Sequence, residues 1–266
     1  MIVRWSADTG AADANMAEAI LVDLAPIVAR HPWWQARARL TLALLGDLGV
    51  RPPARVLDVG CGWGTTLDAL ERHGYAATGA DISARALAGL DRPDRALALL
   101  DLAAPWSPPG DFRPFDAVLA LDVIEHVDDD RAAVARLGQL VRPGGVVVVS
   151  VPALPDLFTE FDQIQGHRRR YLPATLESAF AGTGLTLDRT FWWGAWMVPL
   201  LRRSRGGRSR SRPGDTPEQT YARYLKLPPW PAPWVFRAAF ALEHRWALVG
   251  HLTTGTSLFA VARKPG

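Results

Sequence analysis

The chain is expected to fold as an α/β protein on a doubly wound, mostly parallel sheet, and three observations predict it. A short β-branched run meets alternating glycines over Val56, Leu57, Asp58, Val59, Gly60, Cys61, Gly62, Trp63 and Gly64. Strand-like apolar runs then alternate with helical stretches across residues 51–152. Acidic residues stand where two of those runs end, at Asp81 and Asp101. In an open α/β sheet, ligands bind at the carboxyl ends of the strands.

The glycine stretch reads as a buried strand, a turn without side chains and the first turn of a helix. Gly60 and Gly62 allow positive φ, or allow a ligand to lie directly on the backbone. A dinucleotide fingerprint needs glycine at its first, third and sixth positions, and the sixth here is Thr65, which weakens a nicotinamide reading.

Composition bounds the class. With 266 residues, 48% of them hydrophobic, the chain can bury a sizeable core. A net charge of +3 is too small to argue for nucleic acid by itself. The single cysteine, Cys61, excludes an intrachain disulfide and argues against a thiolate zinc site, so no metal is expected. A cytoplasmic location is expected from the cysteine usage, from the lack of a signal pattern, and from apolar runs all shorter than the roughly 18 residues of a membrane span.

Two helices precede the glycine loop. One is expected over Asp13 to Arg30, with Asp13 as N-cap and Met16, Ile20, Leu21, Leu24, Ile27 and Val28 as its stripe. The other runs from Trp33 to about Leu48, with Trp33, Leu40, Leu44 and Leu48 along one side. Residues 1–50 thus form either a cap over the cleft or extra core. After Gly64 a helix continues to about His73, followed by a second strand over Ala76 to Asp81 and a helix that Ser83 can cap. Further strands are expected at Leu97 to Leu100, Phe115 to Leu121, Val146 to Val151, Leu185 to Phe191 and Thr256 to Arg263. Helices are expected at about Asp130 to Val141 and Pro173 to Phe180.

Asp58, Gly60, Gly62 and Gly64, the strand-end residues Asp81 and Asp101, the segment Asp122-Val123-Ile124-Glu125-His126-Val127 and the turn Pro143-Gly144-Gly145 together resemble the class I S-adenosylmethionine-dependent methyltransferases. The resemblance implies a Rossmann-like sheet of seven strands over 51–191 and 256–266, with S-adenosylmethionine as cofactor. It also implies cofactor contacts from Asp58, Gly60, Cys61, Gly62, Asp81, Ile82, Asp101, Leu102, Leu121 and Asp122. Asp81 would accept the ribose hydroxyls, and Asp101 the adenine amino group with Leu102 beside the ring.

Methyl transfer from a sulfonium asks mainly for alignment, which can supply about 7–11 kcal/mol, against roughly 10²–10⁴-fold in rate from a general base. His126 and His167 are the candidate catalytic histidines, either as base or in an orienting role. His167 lies in a Gly166-His167-Arg168-Arg169-Arg170-Tyr171 run that resembles a segment of a poorly characterised bacterial branch of the family. Arg168, Arg169, Arg170 and Tyr171 are candidate substrate-binding residues, because guanidinium forks pair with carboxylate or phosphate and would suit an acidic acceptor. The competing reading is a basic turn whose arginines pair with neighbours such as Asp162.

Residues 192–255 depart from the family pattern as a helical insertion before the last strand, with helices expected at Glu218 to Leu227 and Trp234 to Val249. Its opening, Trp192 to Arg212, combines tryptophans with an arginine tract. That composition fits a buried pocket wall and linker, or a peripheral contact with the inner membrane face through 192–212. Nucleic acid is disfavoured because the aromatics are not interleaved with the arginines. Two functions are therefore carried forward. The first is methyl transfer to an oxygen or nitrogen of a small or lipid-linked, acidic or neutral acceptor. The second is a non-catalytic S-adenosylmethionine-binding protein that docks through the insertion.

Overall fold

The computed structural model describes residues 2–6, 18–205, 211–226 and 231–266. Asp13, Met16, the middle of the arginine tract and Pro228-Pro229-Trp230 lie outside them. Eight strands form one sheet in the order β1 (Ile2–Arg4), β4 (Ala96–Leu99), β3 (Ala76–Asp81), β2 (Arg55–Val59), β5 (Phe115–Leu121), β6 (Val141–Pro152), β8 (Ser257–Arg263) and β7 (Thr186–Trp193). Pairings from β1 to β6 are parallel, and β8 runs antiparallel to both β6 and β7. The sheet has one strand more than the seven expected. The extra β1 is three residues long and pairs only with β4, so it carries no periodicity that could announce it.

Chain order reverses at β2, which pairs with β3 on one side and β5 on the other. A crevice opens beyond the carboxyl ends of strands at such a point. The central strands read as continuous apolar runs because helices cover both faces. One face packs Leu57, Val118 and Val147 against α6 (Asp130–Leu140) and α8 (Pro173–Phe180) through Val134, Leu137 and Leu176. The other packs Val56, Leu119 and Val148 with Leu40 and Leu44 of α3 (Pro32–Asp47), Leu70 of α4 (Thr65–Arg72) and Phe240 of α11 (Ala232–Leu248).

The first expected helix is broken into α1 (Glu18–Asp23) and α2 (Ala25–Val28), with Pro26, which has no N–H to donate, in the first turn of α2. His31 then caps α3 by accepting the Trp33 N–H at 3.2 Å. Ser83 caps α5 (Ala84–Leu90) by accepting from the Ala86 N–H at 3.0 Å. The insertion supplies α9 (Met197–Arg205), α10 (Pro217–Leu225) and α11, while a short α7 (Glu160–Ile164) precedes the Gly-His segment. Among the described residues no helix is long and apolar enough to cross a membrane.

Trp33 of α3 lies on Trp193 of β7 with ring centroids 4.3 Å apart, and Phe240 of α11 packs on both. The N-terminal helices and the insertion therefore meet over the crevice instead of lying on separate outer surfaces. Trp193 is fully buried, and Trp196 sits against Phe236 and Phe240. Trp193 is thus internal, where a bulky ring contributes by filling the core, and Trp192 and Trp196 are half-buried. Along α11, Trp234, Leu242 and Trp246 are exposed, as is Val249 at its C-terminal end.

Candidate active site

The crevice is a cavity of about 700 Å³. Its floor comes from the loops after β2, β3, the strand ending at Leu99, and β5. Its roof comes from α1, α3, α7, α9, α10 and α11. Asp58, Gly60, Cys61, Gly62, Asp81, Ile82, Asp101, Leu102, Leu121, Asp122, His126, His167 and Arg170 all line it. Arg168, Arg169 and Tyr171 do not.

The glycine loop is shaped as its sequence demands. Gly60, Gly62 and Gly64 have φ of +68°, +47° and +70°. A Cβ at Gly60 would lie 2.5 Å from Val123 Cγ2 and one at Gly64 2.8 Å from Leu90 Cδ2, whereas a Cβ at Gly62 would meet nothing nearer than 3.9 Å. Gly60 and Gly64 are therefore dictated by packing and backbone. At Gly62 the open side is the cavity, the cradle that a side chain would fill. The Asp81 carboxylate ties this loop down, accepting from Gly62 N–H at 2.8 Å and Ser83 N–H at 2.9 Å. Ser83 serves as the helix cap, so both carboxylate oxygens of Asp81 keep lone pairs at the rim. Asp101 is 6% exposed, accepts the Ala103 N–H at 2.7 Å and borders the same space from the next strand end.

Asp58 is buried, and burial, reinforced by Asp81 and opposed by Arg37, pushes its pKa up to about 7. Burial also raises the Asp81 pKa, against the pull of its backbone donors. The floor is therefore an acidic pocket that has been desolvated, suited to a ligand bringing its own positive charge.

Asp122 adopts a left-handed conformation with φ of +58°, rare for a residue with a side chain. It is held there by its own N–H donating to Ser150 O at 2.9 Å, by the Ser150 hydroxyl donating to its Oδ1 at 3.2 Å, and by an ion pair with Arg37. Arg37, from α3, joins the N-terminal helices to the strand end and was missed from the sequence. The signal was an arginine in the middle of the Trp33, Leu40, Leu44 stripe, where a snorkelling or paired charge is the only comfortable outcome. Trp33, Trp34, Phe161, Phe236 and Phe240 give the roof its aromatic lining, which the sequence did not reveal either.

His126 and His167 meet at the cavity wall with ring centroids 4.9 Å apart. His167 is fixed by Asp162, whose Oδ1 lies 3.0 Å from Nδ1, and this assigns Nδ1 as donor. Burial alone would raise the Asp162 pKa, but hydrogen bonds from His167 and Arg170 and the Arg170 charge bring it to about 2. Burial, then the neighbouring His167, lowers the His126 pKa to about 3, so this imidazole is neutral and its Nδ1 has no partner. Glu125, beside them, is fully buried, and burial and Asp122 push its pKa well up.

The anion cradle expected from the arginine run is not formed. Arg168 pairs with Asp128 and donates to His126 O at 2.7 Å. Arg169 pairs with Asp130 at 3.2 Å and donates to Val127 O and Asp128 O. Tyr171 is buried and donates to Asp130 at 2.9 Å. These three fasten the segment to the end of β5. Arg170 alone reaches the cavity, and its guanidinium is engaged with Asp162 at 2.7 Å and Ala153 O at 2.9 Å.

A family model described as a methyltransferase domain matches residues 33–190. A ubiquinone biosynthesis O-methyltransferase of Paracidovorax citrulli is 31% identical over 138 residues, 45% of this chain and 56% of that protein. Its counterpart in Chromobacterium violaceum is 36% identical over 138 residues, 45% of this chain and 57% of that one. The chain spans about half the length of the curated relatives it matches. Among solved structures, the Haloferax volcanii complex of the Trm112 methyltransferase activator with a methyltransferase superposes with a TM-score of 0.52 and 18% identity, covering 88% of this chain and 95% of that one. The [4+2]-cyclase SpnF superposes at 0.53 with 19% identity, covering 86% and 80%. Similarity at this level speaks for the fold alone, and the cyclase shows that the fold hosts other chemistry.

Proposed function

The chain belongs to the class I S-adenosylmethionine-dependent methyltransferase family, and from that premise we propose that it transfers a methyl group to a hydroxyl oxygen of a small or lipid-linked acceptor bound beneath the aromatic roof. The observation that carries this reading is the division of one cavity into two chemically different parts. Bare glycine backbone and the strand-end carboxylates Asp81 and Asp101 line one part, and Trp33, Trp34, Phe236, Phe240 and Met197 line another.

The floor fits the cofactor. Gly62 would let it approach the backbone, Asp81 would accept ribose hydroxyls, Asp101 would accept an amino group, and Leu102 would flank a ring. When bound, S-adenosylmethionine supplies an already activated methyl, so the chain's own task is alignment and exclusion of water. The Arg37–Asp122 pair ties roof to floor and sets their spacing. His126 and His167 line the cavity and would orient the acceptor hydroxyl.

Oxygen is preferred to nitrogen as the acceptor atom because the relatives that match are named O-methyltransferases. Apolar lining supports a ring-bearing or lipid-linked acceptor over an acidic one, since the arginines that would have read an anion are occupied elsewhere. The exposed Trp234, Leu242, Trp246 and Val249 of α11 support a peripheral membrane contact through that helix, whose inner residues Phe236 and Phe240 line the cavity. Interfacial helices present such an apolar face.

Labelled methyl transfer from S-adenosylmethionine to a panel of phenolic, catecholic and prenylated hydroxyl acceptors tests the proposal. Turnover on one class, with S-adenosylhomocysteine inhibiting, is expected. Tight cofactor binding with no turnover on any acceptor would support the non-catalytic alternative.

A further inference from the structure

Glu125, His126 and His167 are, among the described residues, the one group of histidine, cysteine and acidic side chains close enough to hold an ion, each offering a donor atom within 4.8 Å of the others. What sets them apart is that their donors are left over. Glu125 is fully buried, and neither carboxyl oxygen has a hydrogen-bond partner. A buried, unsatisfied polar group is destabilising, more so when charged, and so calls for an explanation. Protonating Glu125 does not supply one, because the hydroxyl would still lack an acceptor and the carbonyl a donor. The Nδ1 of His126 is likewise buried without a partner. The His167 Nε2 lies 3.8 Å from Glu125 Oε1, too far for a hydrogen bond.

We propose that these three side chains form a site for a divalent transition-metal ion in the cavity wall, one carboxylate and two imidazoles leaving further coordination positions open to the cavity. Ligands on one tetrahedral ion with bonds of about 2.0–2.1 Å stand about 3.3 Å apart, so small side-chain rotations close the observed set. The outer partner characteristic of metal-bound histidine is present as well. His167 Nδ1 is held at 3.0 Å by Asp162, and Asp162 is itself anchored by Arg170 at 2.7 Å and the Thr159 N–H at 2.9 Å. A carboxylate behind a histidine orients the ring and raises its basicity toward an ion. Two imidazoles with one carboxylate favour zinc, iron(II) or cobalt over magnesium or calcium, which prefer oxygen. His126 and His167 line the cavity, so an acceptor hydroxyl could complete the coordination sphere and lose its proton to solvent more easily. That consequence rests on the methyl-transfer reading; the site itself does not.

Zinc uptake tests the site. Chelator-stripped full-length protein, dialysed against low-micromolar Zn²⁺ and assayed by elemental analysis, is expected to hold one equivalent. Glu125→Gln and His167→Asn should each weaken binding by at least about 30-fold, and Asp162→Asn by about 10-fold. Circular dichroism and S-adenosylhomocysteine titration of each variant report whether it is folded. Should a variant fail to fold, substitution of the wild type with Co²⁺ gives an independent readout, expected as four- or five-coordinate absorption bands without a thiolate charge-transfer band. Uptake well below one equivalent by the wild type, unchanged affinity in a folded Glu125→Gln, or a thiolate band from Cys61 would overturn the proposal. None of these results bears on whether methyl transfer occurs.

Discussion

The floor and the roof of the cavity are built by opposite means. On the floor, each functional position is set locally: a glycine with positive φ, a carboxylate at a strand end, a cap two residues further on. The roof is set by contacts between segments far apart in the chain, such as Trp33 on Trp193, and Phe240 on both. Backbone geometry leaves a mark in the sequence because few residue types satisfy it. Aromatic packing leaves almost none, since a tryptophan in an apolar stripe looks the same whether it meets a core, a ligand or a lipid.

The sharpest way to break this contrast is at Gly60. Gly60→Val places its Cβ against Val123 in a left-handed backbone conformation, and S-adenosylhomocysteine affinity measured by calorimetry should fall by about 100-fold or more, at a cost of several kcal/mol in stability. Trp33→Ala attacks the roof. It should cost about 3–5 kcal/mol in denaturant unfolding, while cofactor affinity in the folded protein changes by less than about threefold, because Trp33 belongs to the acceptor side. An equal loss of cofactor binding from both variants would erase the distinction between the two walls.

Arg37→Met tests the strut between them. It leaves Asp122 without its cation, and a loss of about 2–4 kcal/mol is expected in thermal or denaturant unfolding, with slower methyl transfer as roof and floor lose their spacing. Asp58→Asn sharpens the picture of a desolvated floor. The Asp58 pKa rises to about 7 in the folded protein from an ordinary 3.8, so the native state holds a proton there that the unfolded chain has lost. Stability from this group is therefore full below about pH 4 and is lost as pH rises toward 7. Asp58→Asn should leave the melting temperature unchanged near pH 4 and raise it by several degrees at pH 8, where the wild type must bury a charge. A melting temperature gain that is equal at both pH values would contradict the cause assigned to the shift. Arg168→Ala is the smallest case. Its exposed ion pair with Asp128 should be worth under about 1 kcal/mol, and methyl transfer should stay within about threefold of wild type.

Legibility followed the same division. The succession of strands along the chain, the glycine loop, the strand-end acids and the Ser83 cap could be read because each satisfies a local rule. The edge strand Ile2–Arg4 could not, being too short to show alternation. The arginine run could be read as an anion site or as a paired turn because charge is visible in sequence while pairing is not; Asp128 and Asp130, which occupy Arg168 and Arg169, come from the segment that runs from β5 into α6, about 40 residues earlier in the chain. Arg37 was hidden in a helix stripe whose partner, Asp122, lies 85 residues away. The Trp192–Trp196 segment matched the composition of a membrane belt and of a pocket wall alike; Trp193 and Trp196 pack on Phe240 of the insertion, while Trp192 packs on the opposite face of the sheet. The exposure of Leu242, Trp246 and Val249 left no mark either, since a helix that packs with only one of two apolar faces carries the same periodicity as one that packs with both.

A calorimetric titration of the wild type and Asp81→Ala with S-adenosylhomocysteine tests most directly whether the glycine bend and its carboxylates form an adenosyl site. One-to-one binding to the wild type, weakened by about 30-fold or more in the variant through the lost ribose and loop contacts, is the predicted result. No saturable binding to the wild type, or equal affinity in a folded Asp81→Ala, would contradict it.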